Sequence, residues 1–164
     1  MVLAEVAEQM ASRGGHLDQW ESVTALPAFN PDLDPMEAAE GLLPDAVSEL
    51  RERAANAAGL VVASPEYARG YPGALKNSLD WLVGSQAVFG RPAAVITASP
   101  GFKGGATAAD GLAAVLRMMS ACPVHVLSVG QVTLKTTDGR VSDSETIAKI
   151  GSLVERLLEP RCEQ

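Results

Sequence analysis

The sequence predicts a three-layer α/β domain with a parallel sheet at its centre. Short continuous apolar runs, "GLVVAS" at 59–64, "RPAAVITAS" at 91–99 and "PVHVLSV" at 123–129, read as strands covered on both faces. Segments with apolar residues at helical spacing lie between and around them. Turn residues punctuate the junctions, so strands and helices alternate in the manner that gives a parallel sheet with right-handed crossovers.

The elements follow in order. Val2, Leu3, Val6 and Met10 keep a helical period and Gly14-Gly15 supplies a stop, so residues 2–13 read as an amphipathic helix. "HLDQWESV" at 16–23, with weak alternation and many polar residues, predicts an edge strand. A turn-rich connection passes through Pro27, Asn30-Pro31, Asp34-Pro35 and Pro44. Val47, Leu50 and Ala54 mark a helix behind Pro44-Asp45 that feeds the run at 59–64. A further helix starts near Tyr71-Pro72 and carries Leu75, Leu79 and Leu82 on one stripe. After the 91–99 run come "PGFKGG" and a helix with Leu112, Val115, Leu116 and Met119 on one face. Asp138-Gly139 predicts a turn in "TTDGRVS". Ser142 with Glu145 predicts a capping box for a last helix bearing Ile147, Ile150, Leu153 and Leu157. No linker or repeat divides the chain, so residues 1–164 are expected to form one domain.

Composition bounds the function. A chain of 164 residues buries roughly 70% of its unfolded surface, enough for a core without staples. The formal charge of -7 and a pI near 4.8, with no clustered Lys/Arg stripe, oppose nucleic acid as a partner. No apolar run approaches the roughly 18 residues of a membrane span, and Glu5 and Glu8 interrupt any signal-peptide core. A cytoplasmic protein with no membrane partner is therefore expected. Cys122 and Cys162 do not suggest a disulfide framework, and His16 and His125 join no metal-ligand spacing.

In open α/β sheets ligands sit at the carboxyl ends of the strands, which points to the loops at 64–72 and 99–105. Gly101, Gly104 and Gly105 permit close backbone approach before a helix N-terminus, suiting an anion or a polar ring edge, or equally a structural tight turn. Their spacing is neither a P-loop nor G-x-G-x-x-G. Tyr67 and Tyr71 are the chain's two tyrosines and share a loop with Pro65, Gly70, Pro72 and Gly73. That loop suits a planar ligand, or rings packed over helix ends or at a subunit contact. Glu66 is a candidate acid or base, or a solvated carboxylate. Lys76 and Asp80, four apart, read as an ion pair rather than as catalytic groups. Ser99, Asp80 and His125 form only a nominal triad, without a G-x-S-x-G elbow, so hydrolysis is not expected.

The stretch "SPEYARGYPGALKNSLDWL" at 64–82 resembles the signature of the NADPH-dependent FMN reductase family. Members typically read Ser-Pro-Glu-Tyr-Asn, a variable pair, then Tyr-Pro-Gly-x-Leu-Lys-Asn-x-Leu-Asp-Trp. The likeness runs in register from Val2 to about Leu158, through "LPAFNPDL", "ASPGFKGG" and "DGRVSD". It implies a flavodoxin-like fold with FMN at the carboxyl edge of a five-stranded parallel sheet. It also implies hydride delivery from NAD(P)H to a small-molecule electron acceptor such as a flavin, quinone, azo dye or metal oxyanion, in a homodimer or homotetramer. Carried across by motif, Pro65, Glu66 and Tyr67 would border the flavin and ribityl chain largely through backbone groups, with Ala68 beside them. Ser99, Gly101, Gly104 and Gly105 would line the isoalloxazine side. No catalytic residue is assigned, because the cofactor carries the redox chemistry.

Two departures stand out. The family Asn is Ala68 here, and one lost hydrogen bond costs about 0.5–1.5 kcal/mol. The sequence also starts within the first helix of the family pattern, without the preceding strand and the Gly-Ser-x-Arg-x-x-Ser-type loop that grips the FMN phosphate. In the 2-1-3-4-5 order that strand lies between 16–23 and 59–63, and its slot is roughly 10 Å wide. The flanking strands could pair directly, another subunit could fill the slot, or the 164 residues could be an incomplete version of the product, which is the expectation here. The alternative function is a flavin-free relative serving as a dimerising or partner-binding subunit.

Overall fold

The structure, a computed structural model, describes residues 1–20, 22–34 and 43–159. Five helices and three parallel strands alternate much as the sequence pattern predicts: α1 (Val2–Ala11), α2 (Asp45–Asn56), β1 (Leu60–Ser64), α3 (Gly73–Val83), β2 (Ala93–Ala98), α4 (Ala106–Met118), β3 (Val124–Val129) and α5 (Ser144–Leu158). A two-stranded hairpin, β4 (Thr136–Thr137) and β5 (Arg140–Val141), turns at Asp138-Gly139 before α5.

The sheet runs β1-β2-β3, parallel throughout, with Ser64 opposite Thr97 and Thr97 opposite Ser128. Side chains alternate across β2 and so supply two cores. Ala93 and Val95 face a cluster with Val47 and Leu50 of α2, Leu79, Trp81 and Leu82 of α3, and Leu112 and Leu116 of α4. Ala94 and Ile96 face Val6 and Met10 of α1 and Ile150, Leu153, Val154 and Leu157 of α5. Helices on both faces explain why β2 is apolar from Ala93 to Ile96, the buried Thr97 near its end meeting Ser128 across the ladder.

The predicted edge strand at 16–23 does not form. Residues 16–20 have no regular structure and Ser22–Ala25 is a 3₁₀ turn; Glu21 lies outside the described residues, as do Pro35 and Cys162. A weakly alternating polar segment needs a neighbouring ladder to hold it extended, and none is paired to it. The flanking segments therefore do not close up on each other, and β1 pairs only with β2 among the described residues.

The segment around Pro27 is anchored through α3 instead. Asn77 Nδ2 and Trp81 Nε1 both donate to the carbonyl of Pro27, at 2.8 and 2.9 Å, and Asn77 Oδ1 accepts from Phe29 N–H at 2.7 Å. Phe29 packs edge-on to Trp81 with ring centroids 4.9 Å apart. Arg51 ties the same region to α2, donating to Trp81 O at 2.8 Å and to Asp34 Oδ1 at 2.9 Å.

Two further expectations change. The cap of α5 is Asp143, whose Oδ2 accepts from Thr146 N–H at 2.9 Å, while Ser142 Oγ lies 3.0 Å from Thr137 Oγ1; the helix therefore starts one residue later than the Ser142 box requires. Cys122 is disulfide-bonded, against the expectation of no disulfide framework. No helix of the described residues is long and apolar enough to cross a membrane.

Candidate functional site

The strand register fixes where the two loops meet. Because Ser64, Thr97 and Ser128 stand side by side at the carboxyl ends of β1, β2 and β3, the segments beyond them emerge from one edge of the sheet. Thr97 Oγ1 and Ser128 Oγ lie 3.0 Å apart beneath that edge.

After β1 the chain makes a tight turn. Tyr67 N–H donates to Gly70 O at 2.8 Å and Gly70 N–H returns a bond to Tyr67 O at 2.9 Å. Ala68 and Arg69 between them take φ of 48° and 62°. Two central residues with positive φ inside a doubly bonded pair make a type I′ turn, whose preferred sequence is Asn-Gly. The Ala68 substitution thus has a backbone consequence as well as a side-chain one. The two tyrosines separate: Tyr71 packs on α4, where a Cβ on Gly111 would lie 3.1 Å from its ring, whereas Tyr67 is 66% exposed at the mouth of the edge.

After β2, Ser99 holds its own loop. Its Oγ accepts from Gly101 N–H at 3.1 Å, its carbonyl accepts from Val132 N–H at 3.1 Å, and its N–H donates to Val129 O at 3.1 Å. Gly104 has φ +61°, and a Cβ there would come within 2.6 Å of Gly130 N and of Val129 C. Gly105 has φ +82°, with Thr97 and Glu66 at its α-carbon. The close approaches at Gly104 and Gly105 are therefore to the protein's own chain, and Gly101 is open apart from Ser99 Oγ at 3.5 Å. Gly130 completes the interlock: a Cβ on it would stand 2.1 Å from Phe102 O. Sequence reasoning passed over Gly130, although a glycine directly after a strand was its signal. It also passed over Asn77 and Trp81, which hold the 27–29 segment.

The edge is left with donors to offer. The backbone N–H groups of Glu66, Ala68 and Arg69 in the first loop, and of Phe102 and Lys103 in the second, make no hydrogen bond among the described residues. Phe102 is 86% exposed beside them. Unpaired donors on two loops and two projecting aromatic rings fit a planar, carbonyl-rich ring, the chemistry of an isoalloxazine. At the α4 N-terminus a carboxylate is already in place: Ala108 N–H donates to Glu66 Oε2 and Ala106 N–H to Lys103 O, both at 3.1 Å. Pro65 lies between these groups and β1, its carbonyl accepting from Ser64 Oγ at 2.9 Å.

The other candidates lie apart. Lys76 Nζ is ion-paired to Asp80 Oδ1 along α3. His125, in the first half of β3, has Nδ1 2.7 Å from Arg156 Nη2. Burial, and then the Arg156 charge, hold His125 below its ordinary pKa. Ser99, Asp80 and His125 thus form no triad. Among the described residues no group of three or more His, Cys, Asp or Glu side chains is placed to hold a metal.

The family model described as NADPH-dependent FMN reductase matches residues 1–135, which include both loops. The chain is similar to the quinone reductase of Escherichia coli, 28% identical over 152 residues that cover 89% of this chain and 79% of that one. It is also similar to an NADPH azoreductase of a Bacillus species, 35% identical over 101 residues, 60% of this chain and 54% of the relative. Among solved structures, a flavoenzyme NAD(P)H:(acceptor) oxidoreductase from Paracoccus denitrificans superposes with a TM-score of 0.75 at 28% identity, covering 95% of this chain and 85% of that one. The layered architecture is accordingly flavodoxin-like.

Proposed function

The chain belongs to the NADPH-dependent FMN reductase family, and on that premise we propose that it binds FMN at the carboxyl edge of the sheet and reduces quinone-class acceptors with NAD(P)H. The observation that carries the reading is that both loops leaving that edge bring backbone N–H groups without a hydrogen-bond partner among the described residues, together with an exposed aromatic ring each, Tyr67 and Phe102. When bound, FMN supplies the redox chemistry, accepting hydride from NAD(P)H and reducing the acceptor.

The residues of the chain then have positional tasks. Glu66, Ala68 and Arg69 offer N–H groups from one side, and Phe102 and Lys103 offer them from the other. Tyr67 and Phe102 shield a flat ligand from water. Ser99 and Gly104 fix the second loop on β3, and Gly105 seats it against Thr97 and Glu66, so that its donors do not drift. Pro65 and Gly101 complete the two rims. No side chain at the edge is a general acid or base.

Quinones are favoured over other acceptors because of the similarity to the Escherichia coli quinone reductase across most of both chains. The test is retained FMN after desalting, followed by anaerobic reduction with NADPH and reoxidation by a quinone. Flavin near one per chain, with turnover well above free FMN, is the expected result. A folded protein that retains no flavin, or turnover no faster than free FMN, overturns the reading; a stable flavin-free oligomer would point instead to a binding subunit.

A further inference from the structure

Helix α4 starts without a cap of its own. Its N-cap is Gly105, which has no side chain, and no acid stands in its first turn. One of the orphan donors that every helix start leaves is nonetheless satisfied. Ala108 N–H donates to Glu66 Oε2 at 3.1 Å, and Glu66 lies 42 residues earlier in the chain, in the loop after β1. The fit is close at backbone level too, since a Cβ on Gly105 would be 3.4 Å from Glu66 Cβ. A carboxylate at a helix N-terminus is favourable by charge as well as by hydrogen bonding.

We propose that Glu66 is a positioning residue of the site: its carboxylate fastens the 64–72 loop to the start of α4 and so holds the donors of the two loops at a fixed separation. Only the effect on FMN affinity rests on the flavin reading; the link between the loops stands without it. The backbone N–H of Glu66 has no hydrogen-bond partner among the described residues, while its carboxylate is engaged at the helix start. One residue thereby couples the placement of both rims. Tyr71 on Gly111 is the second fastening between the same loop and α4, so the loop cannot rotate about the Glu66 contact alone.

The side-chain requirement is specific. Gln keeps an oxygen acceptor at the same reach, Asp is one methylene short, and Ala removes the contact. The experiment compares hydrogen–deuterium exchange of the flavin-free E66A, E66Q and E66D proteins with FMN affinity measured by flavin fluorescence quenching. In E66A, peptides covering 64–72 and 104–110 are expected to exchange faster together, while α1 and α5 peptides, the check that the protein is folded, keep their protection. FMN affinity is expected to fall about tenfold or more in E66A, a change that corresponds to ~1.4 kcal/mol. E66Q should restore both readouts to within about threefold, as an acceptor-geometry role requires, and E66D should not. Unchanged exchange in E66A, loosening of the 64–72 peptides alone, or failure of E66Q to rescue overturns the proposal. Coupled loosening without loss of FMN affinity overturns the positioning role. If the parent protein binds no FMN, the proposed function fails, and the exchange arm still decides whether Glu66 joins the loops.

Discussion

Replacing Gly130 by Ala tests whether the glycine-rich loop is locked onto β3 or merely lies beside it. A Cβ at this position stands 2.1 Å from Phe102 O, 2.8 Å from Phe102 C and 3.2 Å from Gly101 O, all backbone atoms with no rotamer to escape into. The 101–102 backbone must retreat by about 1 Å to reach ordinary van der Waals distance. That movement breaks or stretches the bonds from Gln131 N–H to Gly101 O at 3.0 Å and from Val132 N–H to Ser99 O at 3.1 Å. Overpacking costs about 1–3 kcal/mol and each of the two bonds ~1 kcal/mol, so a loss of about 3–5 kcal/mol is expected. In a domain of this size that lowers Tm by ~6–20 °C. Two glycines isolate the cause. Gly139→Ala, at φ +76° with open space around it, carries backbone strain alone and should lose ~1 kcal/mol. Gly73→Ala, in open space at the first residue of α3, should stay within about 0.5 kcal/mol of the parent. Urea denaturation of the three variants is the assay. A Gly130→Ala protein as stable as Gly73→Ala would refute the interlock, because the loop would then yield without cost.

Other outcomes can be derived from the same structure. The double change Ala68→Asn with Arg69→Gly gives the I′ turn its preferred pair and should raise stability by ~1 kcal/mol, about 2–4 °C in Tm; an unchanged or lower Tm would remove the turn assignment. The unfolded chain takes up a proton on His125 near its ordinary value of 6.5, whereas the folded protein, where burial and Arg156 oppose the charge, does so only at lower pH. Stability should therefore be full above that value and fall as the pH drops below it; His125→Gln should flatten that part of a pH–denaturation profile, and an equally steep profile would exclude this residue. Arg69 and Lys103 are exposed loop cations with no ion pair or side-chain hydrogen bond among the described residues. Replacing either by Ala should raise KM for NADPH ~3-fold and weaken its salt dependence, with kcat little changed; a KM unmoved by both changes would place the donor's phosphates elsewhere.

How legible the fold was in the sequence depended on how local its determinants were. The runs at 59–64, 91–99 and 123–129 announced β1, β2 and β3 because strands sandwiched between helices are predominantly apolar on both faces, with the few polar residues, Ser64, Thr97, His125 and Ser128, too sparse to break the runs. The segment 16–23 failed for the complementary reason: an edge strand depends on a neighbour, and no property of its own residues reports whether that neighbour is paired to it. The start of α5 slipped by one residue because both Ser142 and Asp143 are good caps and hairpin geometry chose between them, drawing Ser142 to Thr137.

The site was legible as a place but only in part as a mechanism. Gly101, Gly104 and Gly105 marked a loop of close approach, yet what approaches two of them is the chain itself, and Gly130 and Glu66 are needed to see it. This matters for function, because a ligand-cradling glycine and a self-packing glycine make opposite predictions. The first tolerates alanine until ligand is added; the second loses stability in the flavin-free protein. Gly104, with a Cβ position 2.6 Å from the β3 backbone, is of the second kind, and Gly101, whose nearest neighbour is Ser99 Oγ at 3.5 Å, has room to be of the first. On the proposed reading, the donors that remain on these loops face the ligand from loops that the glycine contacts and the Glu66–Ala108 hydrogen bond tie to β3 and α4. A rigid edge of this sort suits a cofactor that is to be held in one orientation while substrates come and go.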